Sequence, residues 1–254
     1  MSLQYEKEAE VDEIADEQNE NVQRATPVFP LYSIVLIVCL IAVSICQFLI
    51  DGQEGVFFGG ENSILLAGFD KQLFIAGQYW RMLTGTVLHG GLIHLAFNCY
   101  ALYILGKLIE VLSNRAHLAI VFLLAAVGGS FMSLYFLPEG RSVGASGGII
   151  GFLGYLTVYG FKRRKLLPDA FLKNMLFNVA FIAFVGVFVL PNVDNFGHLG
   201  GLLTGAVYGF LQIPGDVYKD PREIGSLTEI SGVVALGIVI ATTIFSILVL
   251  LKIL

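Results

Sequence analysis

The sequence predicts an all-α polytopic membrane protein, and three observations predict it. Of its 254 residues, 56% are hydrophobic and 14% charged, against roughly 45–50% and 25% in soluble domains. The charges are also confined, because seven stretches of 20 to 25 residues carry none. About 20 apolar residues cross the hydrocarbon core as a helix, whereas a membrane β-strand alternates over about ten. A soluble enzyme, a nucleic-acid binder, a disulfide scaffold and a β-barrel are excluded on these grounds.

Taken in order, residues 1–30 hold eight acidic and two basic side chains with few apolar groups, which predicts a disordered cytoplasmic tail. It lacks the basic start of a signal peptide, so span 1, Leu31 to Ile50, is expected to be retained. The connection Asp51 to Arg81 is rich in Val, Leu, Ile and Phe and ends in Tyr79-Trp80-Arg81, which suits an outer loop resting at the membrane interface. Spans 2 to 6 are expected at Met82 to Gly106, Ala116 to Pro138, Ser142 to Phe161, Asn174 to Val193 and Asn195 to Gly215. The six spans form a core over 31–213, followed by a cytoplasmic linker over 214–229 and a seventh span within 230–254, Ile230 to Leu251. Cys39, Cys46 and Cys99 all fall inside spans, so no disulfide framework is implied.

Seven spans put the termini on opposite sides. With the N-terminus cytoplasmic, eleven Lys and Arg lie on the cytoplasmic side and four on the other, as the positive-inside rule requires. The run Lys162-Arg163-Arg164-Lys165 contributes most and reads as a topology anchor. The expectation is a multi-pass protein with its C-terminus outside, in the plasma (inner) membrane for a bacterial chain.

Polar residues are the informative ones inside a membrane, because burial obliges them to find partners. Even-numbered spans all begin at the outer face, where span 4 opens Val143-Gly144-Ala145-Ser146-Gly147-Gly148 and span 6 carries His198 followed by Gly201 and Gly205. Gly197, Gly201, Gly205 and Gly209 recur at every fourth residue, a face that can approach the glycines of span 4, Gly144 and Gly147 among them, closely enough for backbone contact. That pairing would bring the Ser146 hydroxyl to the His198 imidazole, a nucleophile beside a general base that needs no metal or cofactor. In span 2, His94 and Asn98 share a face at i and i+4 and offer donors for an oxyanion, with the Ser146 N–H as a further one. His89, about 140° round the helix from His94, is read as a structural donor fixing the outer loop. His117 reads as an interfacial residue. No acidic third member is apparent, since Asp194 stands four residues before His198 but at a span edge.

The ordered set Trp80-Arg81, His89-x4-His94-x3-Asn98, Gly106-x3-Glu110, Gly144-Ala145-Ser146-Gly147 and His198-x2-Gly201-x3-Gly205 resembles the rhomboid intramembrane serine proteases over roughly half the chain. The resemblance implies a six-helix catalytic core, with a seventh helix in some members, that cleaves single-span membrane proteins near the outer face of the bilayer. It implies Ser146 as nucleophile, His198 as base, His94 and Asn98 as oxyanion side chains, Trp80 and Arg81 in the interfacial loop, and Glu110 as a structural hydrogen-bonding residue on the cytoplasmic side. It also implies lateral entry of the substrate past span 5 and the loop Pro191 to Asn195. Where some members carry an aromatic residue four positions after the serine, this chain has Ile150, so the packing that fixes His198 must differ.

Two competing readings stay open. One is a catalytically silent relative that binds transmembrane clients. The other is a transporter or metal site on His89, His94 and His198, which the spacing of five between the first two and the lack of a carboxylate or thiolate disfavour.

Overall fold

The computed structural model describes residues 29–189 and 193–254. The acidic tail lies outside the described residues except for Phe29 and Pro30, and so do positions 191 and 192 of the loop named as the substrate's entry. The protein is an all-α polytopic membrane protein. Five helices among the described residues are long and apolar enough to cross a bilayer: Leu31–Gln53, Leu92–Leu112, Arg115–Phe136, Asp169–Val189 and Ser226–Leu250.

Helix α1 (Leu31–Phe58) runs unbroken until Gly52, whose φ of +70° kinks it towards the outer region. That region is more ordered than a simple loop. It folds into α2 (Glu61–Ala67), β1 (Phe69–Asp70), α3 (Lys71–Ile75) and α4 (Arg81–Thr84). The strand pairs antiparallel with β2 (Arg141–Ser142), Phe69 opposite Ser142. The apolar residues of this connection thus include core groups, since Phe69 is buried together with Ala67.

Helix α5 (Leu92–Leu112) corrects the second span, expected at Met82 to Gly106. Glycines break it on the outer side. Gly91 has a φ of +99°, open to glycine and few others, and a Cβ there would fall 2.6 Å from the Phe57 carbonyl oxygen. On the inner side charge does not end the helix, because Lys107 reaches back over the Tyr103 ring and Glu110 finds partners on α1. The Glu110 carboxylate accepts from the Ser33 N–H at 2.8 Å, the Ser33 hydroxyl at 2.7 Å and the Tyr32 N–H at 3.4 Å. It therefore caps the first turn of a neighbouring helix, whose amides have no partners of their own.

Helices α6 (Arg115–Phe136), α7 (Ser146–Lys162), α8 (Asp169–Phe184, continuing as a π turn over Val185–Val189), α9 (Asn195–Gln212) and α10 (Ser226–Leu250) complete the bundle. Span 5 is thus lengthened at its N-terminal end to Asp169, and the seventh helix begins at Ser226, inside the expected linker. Helices α7 and α9 are short, with 17 and 18 residues. At 1.5 Å per residue a 17-residue helix reaches about 26 Å, less than the ~30 Å hydrocarbon core. They do not need lipid-facing grease, since α9 packs on both α7 and α6, and α7 is buried along most of its length from Gly148 to Gly160. Helix α10 lies against α6 and α1; a Cβ on Gly232 would fall 2.5 Å from Ala116 Cα.

The basic run Lys162 to Lys165 is divided. Lys162 Nζ donates to the Phe210 and Ile213 carbonyls, and the buried Arg163 donates to the Pro214 and Asp216 carbonyls. Lys162 therefore caps the C-terminal end of α9, and Arg163 holds the segment that follows it. His117, expected at the interface, is buried and its Nδ1 lies 2.9 Å from the Tyr208 hydroxyl, tying α6 to α9.

Candidate active site

Ser146 is the first residue of α7, delivered by a loop that only glycine can shape. Gly144 has a φ of +125°, its N–H donates to the Gly85 carbonyl at 2.9 Å, and a Cβ on it would fall 2.7 Å from the His94 ring. Gly144 is thus a loop residue seated under His94, not part of the helix-to-helix contact expected of it. The contact itself is made further along. A Cβ on Gly201 would meet the Gly147 carbonyl oxygen at 2.0 Å, one on Gly205 the Gly151 oxygen at 2.0 Å, and one on Gly154 the Leu202 oxygen at 2.2 Å. Helices α7 and α9 therefore meet backbone to backbone, an approach that any side chain at these positions would block.

This approach sets the central geometry. His198, on the first turn of α9, places Nε2 2.8 Å from Ser146 Oγ. For Nε2 to accept the hydroxyl proton, the neutral ring must carry its hydrogen on Nδ1. Nδ1 is buried and has no partner among the described residues. Asp194 does not supply one. Its Oδ1 accepts from the Gly197 N–H at 2.8 Å, and its Oδ2 accepts from the Ser142 hydroxyl at 2.7 Å and from the Ser133 hydroxyl. The arrangement is a pair, with the carboxylate serving the helix terminus.

A cavity of about 50 Å³ opens at this pair, lined by Ser146, His198, Gly144, Ser133, Ser142 and Asp194 among others. One water needs roughly 10–15 Å³ measured in the same way, so a hydrolytic water fits. The N–H of Ser146, in the first turn of α7, has no intrahelical acceptor.

His94 and Asn98 stand behind this cavity and do not line it. The His94 Nδ1 accepts from the Gly90 N–H at 3.2 Å, which places the hydrogen of the neutral ring on Nε2, beside Gly144. The buried Asn98 amide donates to the His94 carbonyl at 3.0 Å. His89 precedes α5, so the helical-wheel separation from His94 does not apply, and the two rings meet edge to face at 5.3 Å. Its backbone is gripped by Gln47, which accepts from the His89 N–H at 2.9 Å and donates to its carbonyl at 3.1 Å. Among the described residues no cluster of His, Cys, Asp or Glu is arranged to hold a metal.

Arg81 is buried, stacks on Trp80 at 4.6 Å and donates to the Gly68 carbonyl at 3.0 Å and the Leu65 carbonyl at 3.2 Å. Trp80 in turn meets Phe245 of α10 edge on at 5.4 Å. Ile150 is buried. The residues that sequence reasoning missed are Lys71, Ser133 and Ser142. Lys71 is 2% exposed, and nothing in a loop sequence marks a lysine for burial.

The family model described as Rhomboid domain matches residues 76–215. The chain belongs to the rhomboid family. It is 34% identical over 168 residues to "Rhomboid protease GluP" of Bacillus subtilis (strain 168), covering 65% of this chain and 32% of that protein. Against "RHOMBOID-like protein 6, mitochondrial" of Arabidopsis thaliana it is 36% identical over 167 residues, covering 63% of this chain and 53% of the relative. It is also 33% identical over 144 residues to "Inactive rhomboid protein 1" of Papio anubis, covering 55% of this chain and 16% of the relative. The chain thus spans a third to a half of the length of the first two rhomboid relatives, and relatives named as protease and as inactive both match it.

Proposed function

We propose that this rhomboid is an intramembrane serine endopeptidase that cuts single-span transmembrane proteins near the outer leaflet, with its N-terminus cytoplasmic. The observation that carries the reading is the 2.8 Å contact between Ser146 Oγ and His198 Nε2 at the wall of a cavity that Ser133, Ser142 and Asp194 also line. An inactive relative has no need of a nucleophile bonded to a base, and this contact favours the protease reading over the silent client-binding alternative.

In the proposed reaction, Ser146 Oγ attacks the substrate carbonyl carbon while His198 Nε2 takes the hydroxyl proton. The oxyanion is held by the Ser146 N–H, and the His94 Nε2–H and the Asn98 amide, which do not line the cavity, join it by turning inwards when substrate binds. Collapse breaks the C–N bond, and His198 returns the proton to the leaving amine. Water then adds to the acyl-enzyme with His198 again as base, which frees the second product and regenerates Ser146. The least buried of the long helices is α8, whose Phe177, Phe181, Phe184 and Phe188 are all exposed, and this supports entry of a substrate helix from the lipid side.

The test is cleavage of a panel of single-span proteins in proteoliposomes, with cut sites mapped by mass spectrometry, together with fluorophosphonate labelling. Wild type is expected to cleave and to be labelled, and Ser146→Ala to do neither. Cleavage retained by that variant would refute the assignment.

A further inference from the structure

Lys71 is a lysine of the outer region held almost out of solvent, and the group it reaches is not an acid. Its Nζ donates to the Ser142 hydroxyl at 2.8 Å, and that hydroxyl donates in turn to Asp194 Oδ2 at 2.7 Å. Ser133, near the outer end of α6, donates to the same carboxylate oxygen. Burial pushes the Lys71 ammonium below the ordinary lysine value, and the Asp194 and Asp70 charges pull it back up. A buried ammonium stays charged only beside such compensation.

The far end of this chain is the terminus of α9. Asp194 is its N-cap, with Oδ1 on the Gly197 N–H, and the His198 N–H donates to the Asp194 carbonyl at 3.0 Å. Cap and base are thus joined by one turn of helix. Lys71 itself is fixed by the β1 to β2 pairing, in which Phe69 faces Ser142 and Asp70 faces Arg141.

We propose that Lys71, Ser142 and Asp194 form a clasp that positions His198, so that the outer region of the protein holds the base in register with Ser146. The three are positioning residues, acting through the first turn of α9 and touching no reacting atom. The clasp deepens the protease reading and rests on it. It joins three separate segments, α3, β2 and the start of α9, with Ser133 at the end of α6 bonded to the same carboxylate, and only α9 carries a member of the Ser–His pair. Displacement of the outer region, as by a substrate or a ligand, would therefore be felt at His198.

The experiment measures kcat and KM separately for wild type, D194A, S142A, D194N and the double variant K71M/D194N, with folding checked by circular dichroism. D194A is expected to lose about 10–100-fold in kcat, the scale of a small misplacement of a catalytic group, with KM changed little. S142A, which breaks the chain in its middle and leaves the helix cap in place, is expected to lose kcat in the same sense and carries the test if D194A does not fold. D194N keeps an acceptor for the Gly197 N–H but removes the larger of the two countercharges of Lys71, so K71M/D194N is expected to be more active than D194N alone. A folded S142A or D194A with wild-type kcat would overturn the clasp, and so would a double variant no better than D194N. Absence of cleavage by wild type would refute the protease reading instead, which keeps the two failures apart.

Discussion

Gly201 and Gly147 approach so closely that a methyl group on Gly201 would fall 2.0 Å from the Gly147 carbonyl oxygen. That single spacing governs how near α9 can come to α7, and the Ser146 to His198 contact is made one turn above it. The atom in the way belongs to backbone and cannot swing aside, so the helices themselves would have to part.

Gly201→Ala is therefore expected to cost about 1–3 kcal/mol of stability, the usual scale of overpacking, and to lower the rate of fluorophosphonate labelling by roughly tenfold or more through misplacement of the base. Thermal unfolding in detergent and a labelling time course measure the two effects. A variant with wild-type labelling would show that the backbone contact is not what sets the Ser–His geometry.

Glu110 caps a helix that lies far from it in sequence. Hydrogen bonds to a charged acceptor contribute about 1.5–3 kcal/mol, and removal also strands the buried Ser33 hydroxyl. Glu110→Ala should lower stability by an amount on that order, with Glu110→Gln losing less because one acceptor oxygen remains. Denaturation midpoints of the two variants against wild type decide it, and equal losses would assign the effect to charge alone.

The outer region carries an acid-sensitive element. The Leu73 N–H, and then the Arg141 guanidinium, hold the Asp70 carboxyl below its ordinary value of 3.8. A group depressed in the folded state stabilises fully above its unfolded value and loses that contribution as pH falls through the folded one. Asp70→Asn keeps an acceptor for the Leu73 N–H and removes the charge. The difference in melting temperature between wild type and this variant should be constant above about pH 5 and shrink below 3.8. A gap that widens in acid would contradict the sign.

Much of this was legible beforehand because the membrane imposes simple rules. Charge-free runs overlap the five helices long enough and apolar enough to cross a bilayer, and the four-residue glycine period on span 6 identified the face that meets α7. What misled was treating a charge as the end of a helix. Lys107 and Glu110 lie inside α5 because one reaches along Tyr103 and the other bonds Ser33, whereas the true outer boundary is set by Gly91, uncharged and unremarkable in a hydrophobicity count. Lys71 was illegible for the same reason, since its burial depends on Ser142 and Asp194, which lie 71 and 123 positions further along the chain.

By itself, then, the sequence determined that the chain is a helical membrane bundle, that Ser146 and His198 sit near one end of two small-residue helices, and that glycine permits those helices to touch. Periodicity and hydrophobicity are local properties and survive being read in one dimension. The tertiary structure alone decided that Asp194 serves the end of α9 and not the His198 ring, that Gly144 shapes a loop beneath His94, and that a buried lysine of the outer region reaches the terminus that carries the base. Each of those depends on which polar groups meet after burial, and burial in a bundle is settled by packing between distant segments.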